Sequence, residues 1–223
     1  MYKECIIIAG AGGFGREVLS YIKDLQQAGT ACAVKGFIDD NLHALDGRSV
    51  AEKILGAIDD YEVQHEDRFV IAVGDCRVRK DIRRRLSAKG APFFTVIHPL
   101  SYIAPRVQLG SGSILCPFSS IGPGAVIGEN VVLNTYASCG HDSRIADFCV
   151  LSPYAVTNGG VSLDEGVFLG THAVVAPGKR VGAWSKISAG SVAMRDIEAG
   201  SLAAGISVAA RVMYHSDSEG DRL

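Results

Sequence analysis

A histidine next to a carboxylate is the sequence feature best suited to acid–base chemistry. His141 is followed directly by Asp142 and preceded by Gly140, in a stretch where most other residues are small. An imidazole can act as a general base near neutral pH, and a carboxylate can fix its tautomer. Because neighbours on a strand face opposite ways, the two side chains can meet only at a bend. The pair predicts a catalytic base with an orienting partner, and the alternative is a surface histidine.

Other candidates for nucleophilic or metal chemistry have less support. His172 lacks an acidic neighbour. Cys139 occupies a regularly apolar position, where a thiol behaves as a buried hydrophobe. A zinc site between β-helical subunits needs several histidines that converge. His141 and His172 occupy different positions in the six-residue repeat described below, and the repeat region contains no H-x-x-x-x-H pair. The six cysteines form no C-x-x-C pair, so the sequence predicts reduced thiols and no metal cofactor.

A glycine-rich loop near the N-terminus suits the binding of phosphate groups. Residues 10–15 read GAGGFG, which satisfies G-x-G-x-x-G between a strand and a helix. Such glycines let a phosphate approach the backbone at the start of a helix. Asp39 and Asp40 end the next strand, where they could bind a ribose or a base. The glycines predicted to contact the ligand are Gly10, Gly12, Gly13 and Gly15.

The length of the N-terminal half limits the kind of nucleotide. A dinucleotide fold has two mononucleotide-binding halves, and only one fits before the repeats that begin near residue 103. This favours a mononucleotide or a sugar nucleotide over NAD. A glycine-rich turn without a ligand remains the alternative.

The elements that position these residues fall into two halves. Residues 1–95 predict an α/β Rossmann-like half domain, because strand-like and helix-like segments alternate as in a parallel sheet. The predicted strands are Cys5–Ala9, Val34–Ile38 and Phe69–Val73. The predicted helices are Arg16–Gln27 and Val78–Leu86.

The second half is governed by a period of six residues. Every sixth residue from Ile103 to Ile187 is Leu, Ile or Val over fifteen positions, with Cys139 and Thr157 the exceptions. The residue four places later is small in almost every repeat. A fixed hexapeptide period predicts a parallel β-helix of about five coils across residues 96–200. A C-terminal loop and a polar tail are predicted for residues 201–223.

Composition excludes several classes of partner. A net charge of −2 gives no electrostatic basis for binding nucleic acid or an anionic membrane. The apolar run at the N-terminus is too short to span a bilayer, and no signal peptide is visible, which predicts a cytoplasmic protein. The one basic cluster, at residues 77–85, has the spacing of a solvated helix face rather than a binding patch.

Five segments together resemble a known family. They are GAGGFGREV, GFIDDN, AVGDCRVRKDI, LNTYASCGHDSRI and VFLGTHAVVAPG. They are similar to hexapeptide-repeat sugar acyltransferases related to sialic acid O-acetyltransferases. Within that family they most resemble N-acetyltransferases for nucleotide-linked 4-amino-4,6-dideoxy sugars of the bacillosamine or perosamine type. The resemblance implies left-handed coils, a homotrimer with active sites between subunits, and acetyl-CoA as co-substrate in the groove between them.

The same resemblance implies roles for individual residues. His141 matches the catalytic histidine, Asp142 its acidic partner, and Asn134 a residue that contacts the sugar. The glycine-rich loop with Asp39 and Asp40 matches the nucleotide site. Phe14 departs from the family, which often has His there, and the C-terminal G-x-P-A-K segment is absent. The residues implied to contact the acetyl-CoA are Gly159, Ala189 and Gly190.

The activity implied is direct acetyl transfer to the 4-amino group of a UDP- or GDP-linked amino-deoxy sugar, with His141 as general base. An O-acetyltransferase acting on sialic acid or a related sugar is the alternative within the family. A non-catalytic scaffold that binds nucleotide sugars is the alternative of another class.

Overall fold

The structure is a computed structural model, and it describes residues 4–205. The part of the predicted C-terminal loop and tail beyond residue 205 lies outside the described residues. Of residues 205–209, which stand where the family has the G-x-P-A-K segment, only Gly205 is described.

The N-terminal domain is a three-stranded parallel sheet in the order β2-β1-β3. Both helices begin earlier than predicted. For α2 the reason is Asp75, whose carboxylate accepts the backbone N–H groups of Arg77 and Val78 and so caps the helix. The elements are β1 (Glu4–Ala9), α1 (Gly13–Gln27), β2 (Cys32–Ile38), β3 (Asp67–Ile71) and α2 (Cys76–Ser87).

A left-handed parallel β-helix follows, built from two-residue strands on three faces. The first face contains Val96–Ile97, Ile114–Leu115, Val132–Leu133, Val150–Leu151, Phe168–Leu169, Lys186–Ile187 and Leu202–Ala203. The second contains Tyr102–Ile103, Ser120–Ile121, Ser138–Cys139, Val156–Thr157, Val174–Val175 and Val192–Ala193. The third contains Gln108–Leu109, Val126–Ile127, Arg144–Ile145, Ser162–Leu163 and Arg180–Val181. The helix makes about six turns, one more than predicted.

The residues at the period of six form the core of the β-helix, as predicted. Leu133, Leu151 and Leu169 are fully buried and belong to one continuous apolar cluster along the axis. Ile103 and Leu109, in the first complete coil, are only partly buried. Each large axial side chain therefore packs mainly on the coils above and below it, which is the arrangement expected of a solenoid.

Fifteen consecutive corners of the β-helix are formed by a residue with a left-handed backbone. Every sixth residue from Arg106 to Gly190 has φ between +52° and +72°. Six of these residues are glycines, and nine are larger residues that adopt this conformation at a cost. Four of the larger ones stack at the corner between the first and second faces, with ring centroids 4.8–4.9 Å apart: Phe118, Tyr136, Tyr154 and His172.

The N-terminal domain packs on the first face of the β-helix through one shared apolar cluster. At the edge of this junction, His98 Nε2 lies 3.1 Å from the Asp24 carboxylate on α1, so this histidine joins the β-helix to the N-terminal domain.

The basic cluster of α2 is a solvated helix face, as predicted, except at Arg79: its other cations are exposed or half-buried. Arg79 is fully buried, and its guanidinium donates to the carbonyls of Ile71, Val73 and Asn130, so it joins the domain to a corner of the β-helix. Burial lowers the pKa of Arg79 to about 10. Four other cations of the helix form ion pairs: Lys80 with Glu165, Arg83 with Glu129, Arg84 with Asp81, and Arg85 with Asp40 and Asp59.

Candidate active site

His141 and Asp142 meet at the corner between the second and third faces. Asp142 takes the left-handed corner position, with φ of +57°. This bend brings its Oδ2 to 2.8 Å from His141 Nδ1. Both side chains are exposed. Because the carboxylate accepts from Nδ1–H, it leaves Nε2 as the ring nitrogen that can take a proton.

His141 borders an open groove of about 570 Å³ along the second face. No residue of the N-terminal domain contributes to this groove. Cys139 lies behind His141, where burial raises the pKa of its thiol and opposes a role as nucleophile. The groove is lined by Tyr102, Ser120, Ile121, Gly122, Ser138, Cys139, Gly140, His141, Val156, Thr157, Asn158, Gly159 and Pro177.

Gly159 sits one coil below His141 and lies against its ring. A side-chain carbon at this position would overlap the imidazole at Nε2. Among the described residues, the N–H of Gly159 has no hydrogen-bond acceptor, although its carbonyl accepts from Gly178. The groove therefore presents a base nitrogen and an unpaired N–H donor side by side.

Two residues that the sequence analysis missed hold the peptide before Gly159 in place. Ser143 Oγ donates to the Asn158 carbonyl at 3.0 Å, and the Asn158 side-chain amide donates to the Val175 carbonyl at 2.8 Å. These contacts fix the orientation of the Gly159 N–H. The two residues of each hydrogen bond are 15 and 17 positions apart in the sequence. Only the length of one coil could have predicted these pairs.

Other predicted residues lie at the opposite corner of the second face. Asn134 precedes the strand that His141 follows, and its Oδ1 accepts the Thr135 N–H at 2.7 Å. His172 stacks on Tyr154 at this same corner, so it lies across the face from His141. Within one chain, the structure does not bring Asn134 or His172 to the His141 groove.

The four glycines of the N-terminal loop have different reasons to be glycine. Gly10 has φ of +106°, and a side-chain carbon there would lie 2.8 Å from Val73 Cγ2. A side-chain carbon at Gly15 would overlap the Gly10 carbonyl. Gly12 and Gly13 are exposed with nothing near the space that a side chain would fill. Packing therefore explains the two outer glycines but not the two at the start of α1.

The two aspartates predicted to bind the nucleotide have separate contacts. Asp39 holds the glycine-rich loop, because its Oδ2 accepts the Ala11 N–H at 2.7 Å. Asp40 forms a bidentate ion pair with Arg85, at 2.7 and 3.0 Å, and accepts the Ile58 N–H. The guanidinium lowers the pKa of Asp40. The Asp40 carboxylate is thus already occupied within the protein, and its contact with a nucleotide stays a prediction.

The remaining predicted contacts lie near the C-terminal end of the β-helix. Ala189 and Gly190 are exposed, and Gly190 continues the stacked corner one coil below His172.

Across residues 4–205, no group of three His, Cys, Asp or Glu side chains is placed to hold a metal ion. No helix within the same range is both long and apolar enough to cross a membrane.

Comparisons with known proteins agree with this fold. Residues 5–86 match the PglD N-terminal domain family. The acetyltransferase domain of PglB from Neisseria gonorrhoeae is similar, with 27% identity over 91% of this chain and 97% of that one and a TM-score of 0.83. Perosamine N-acetyltransferase from Caulobacter crescentus, in an H141N mutant solved with CoA and GDP-perosamine, is 30% identical over 90% and 93%, with a TM-score of 0.80. WeeI from Acinetobacter baumannii is 26% identical over 91% and 97%, with a TM-score of 0.80. No curated protein gives a significant match.

The β-helix, the half domain and these similarities together define an acetyltransferase that uses acetyl-CoA. The chain belongs to the hexapeptide-repeat sugar acetyltransferase family.

Proposed function

We propose that this enzyme transfers an acetyl group from acetyl-CoA to the 4-amino group of a nucleotide-linked amino-deoxy sugar. The observation that carries the proposal is the position of His141 Nε2 against Gly159, whose N–H is unpaired among the described residues. A base and an amide donor side by side suit attack on a thioester carbonyl. The identity of the acceptor is supported by the similarity to enzymes such as perosamine N-acetyltransferase.

The reaction is a direct transfer. The sugar amine attacks the carbonyl carbon of the thioester, and His141 Nε2 accepts a proton from the attacking nitrogen. The Gly159 N–H donates to the oxygen as negative charge develops there. When the tetrahedral intermediate collapses, the carbon–sulfur bond breaks and the imidazolium returns a proton to the CoA thiolate. Asp142 stabilises the imidazolium through its 2.8 Å contact with Nδ1.

The nucleotide is assigned to the glycine-rich loop. Gly12 and Gly13 leave the start of α1 open, and neither packing nor a positive φ accounts for their being glycine. A phosphate that approaches the backbone there would account for both. Glycan assembly uses sugars in nucleotide-linked form, so we place the reaction in the cytoplasm, as a step in polysaccharide biosynthesis.

The proposal is tested by a screen of UDP- and GDP-linked 4-amino-4,6-dideoxy sugars with acetyl-CoA, in which free thiol release is followed and the product mass is measured. We expect one amino sugar to give rapid release and a new amide. Turnover with sialic acid but with no amino sugar would instead establish O-acetylation. Tight binding of a nucleotide sugar without any turnover would establish the scaffold alternative.

We further propose that the active enzyme is a homotrimer. The His141 groove of one chain is open and contains nothing from the N-terminal domain, so a second subunit is needed to bring a bound nucleotide sugar to it. Sedimentation velocity should give a species of three times the 23.5 kDa chain mass. A stable monomer with full activity would contradict this arrangement.

Replacing Asp39 with Ala should weaken nucleotide binding and leave acetyl-CoA binding nearly unchanged. The substitution removes the acceptor that holds the Ala11 N–H, so the loop loses its fixed shape. Because a hydrogen bond to a charged group contributes more to stability than a neutral one, we expect the affinity for UDP or GDP to fall by about tenfold. Calorimetry measures this affinity. Asp46→Ala is the matched control, since Asp46 is exposed and pairs only with His43. An equal loss for both ligands would show that Asp39 supports the whole fold.

A further inference from the structure

A pocket of about 270 Å³ lies between the start of α2 and the last coils of the β-helix. We call it the Trp184 pocket. It contains residues of both domains, and none of them belongs to the sites described above. Its principal lining residues are Gly74, Asp75, Arg77, Phe168, Trp184 and Lys186.

The pocket carries two cations without carboxylate partners. Among the described residues, neither Arg77 nor Lys186 forms an ion pair, although four other cations of α2 do. The Arg77 guanidinium lies 4.6 Å from the centre of the Trp184 ring, and the Lys186 ammonium lies 6.0 Å from that of Phe168. These rings hold the cations in place without neutralising their charge.

The single acid in the pocket is already engaged. Asp75 Oδ1 accepts the N–H groups of Arg77 and Val78 at the start of α2, at 2.9 and 3.0 Å. The carboxylate and the helix N-terminus therefore satisfy each other. The two side-chain cations remain, and their charge suits an anionic group.

The Trp184 pocket and the glycine-rich loop lie at the same edge of the sheet. Gly10 packs so closely on the end of β3 that a side-chain carbon there would lie 2.9 Å from the Ala72 carbonyl oxygen. Gly74, which lines the pocket, follows Ala72 by two residues. The loop and the pocket therefore share the carboxyl edge of the sheet, along which α/β folds bind their ligands.

We propose that the Trp184 pocket binds phosphate oxygens of the nucleotide sugar, an inference that rests on the proposed function. Arg77 supplies a planar fork that matches two phosphate oxygens, and Lys186 supplies a point charge from the β-helix. A ligand that extends from the start of α1 across β3 would then be held by both domains.

Calorimetry with UDP and GDP tests this assignment in full-length Arg77→Gln and Lys186→Gln variants. Each substitution removes a charged contact, so we expect affinity for the nucleotide that binds to fall by about tenfold or more. Acetyl-CoA affinity should stay as in the unmodified protein. Lys80→Gln is the matched control, because Lys80 also lies over Trp184 but does not line the pocket and pairs with Glu165.

The outcomes separate the two proposals. If UDP or GDP binds the unmodified protein and both variants equally well, the Trp184 pocket is not a phosphate site, while the proposed function stands. If the variants lose acetyl-CoA affinity instead, the pocket belongs to the co-substrate and our inference is wrong. If neither nucleotide binds the unmodified protein, the nucleotide-sugar function itself fails. Thermal unfolding of each variant shows whether the fold is intact.

Discussion

Replacing Leu151 with Ala is expected to lower the free energy of unfolding by about 2–5 kcal/mol. Leu151 is fully buried on the axis, between Leu133 and Leu169 of the adjacent coils of the first face. Truncation leaves a cavity that neighbouring coils cannot close easily, because their hydrogen-bonded strands fix the distance between them. The loss is measured by urea denaturation, with the unmodified protein and the variant at the same concentration.

Leu202→Ala is the matched control for this substitution. Leu202 lies in the last strand of the same face but is 73% exposed, so the same chemical change should cost about 0.5 kcal/mol or less. If both variants lost the same amount, the axial position of Leu151 would not account for its contribution. A loss below about 1 kcal/mol for Leu151→Ala would show that the coils can collapse around a missing side chain.

The hexapeptide period predicted the middle of the β-helix because each coil repeats the same steric requirement. The number of coils was underestimated because the period changes at both ends. Ala193 continues the spacing of six but is small, and the next residue to pair with the coil above is Ile197, only four places later. At the start, Ile97 fits the spacing but is followed by His98, which binds α1. When residues of a coil also contact another part of the protein, their types no longer follow the hexapeptide pattern.

The part of the site that is formed by residues adjacent in the sequence could be predicted. His141 and Asp142 are adjacent, and the corner that joins them is itself a product of the repeat. Asn158 acts through a residue 17 places away, and its sequence context gives no sign of this. Arg79 was assigned to the solvent although it shares the buried stripe of α2 with Cys76 and Ile82. That interpretation gave more weight to the charge of Arg79 than to its position. One of the carbonyls that accept from its guanidinium, that of Asn130, lies 51 residues away in the sequence.

The largest effect on catalysis is expected for His141. Replacement with Asn or Ala should reduce turnover by roughly 10²- to 10⁴-fold, the range a positioned general base contributes. Neither substrate should bind much more weakly, because the ring is exposed beside the groove and acts on the proton of the attacking amine. Steady-state kinetics with both substrates varied separate the effect on kcat from the effect on KM.

Asp142→Asn and His172→Asn complete the experiment on His141. Asp142→Asn should cost less than loss of the histidine, because the base stays while the stabilisation of its charged form is weakened. His172→Asn should keep near-normal turnover, since this side chain stacks on Tyr154 at another corner. Near-normal kcat for His141→Asn with both substrates saturating would place the base elsewhere.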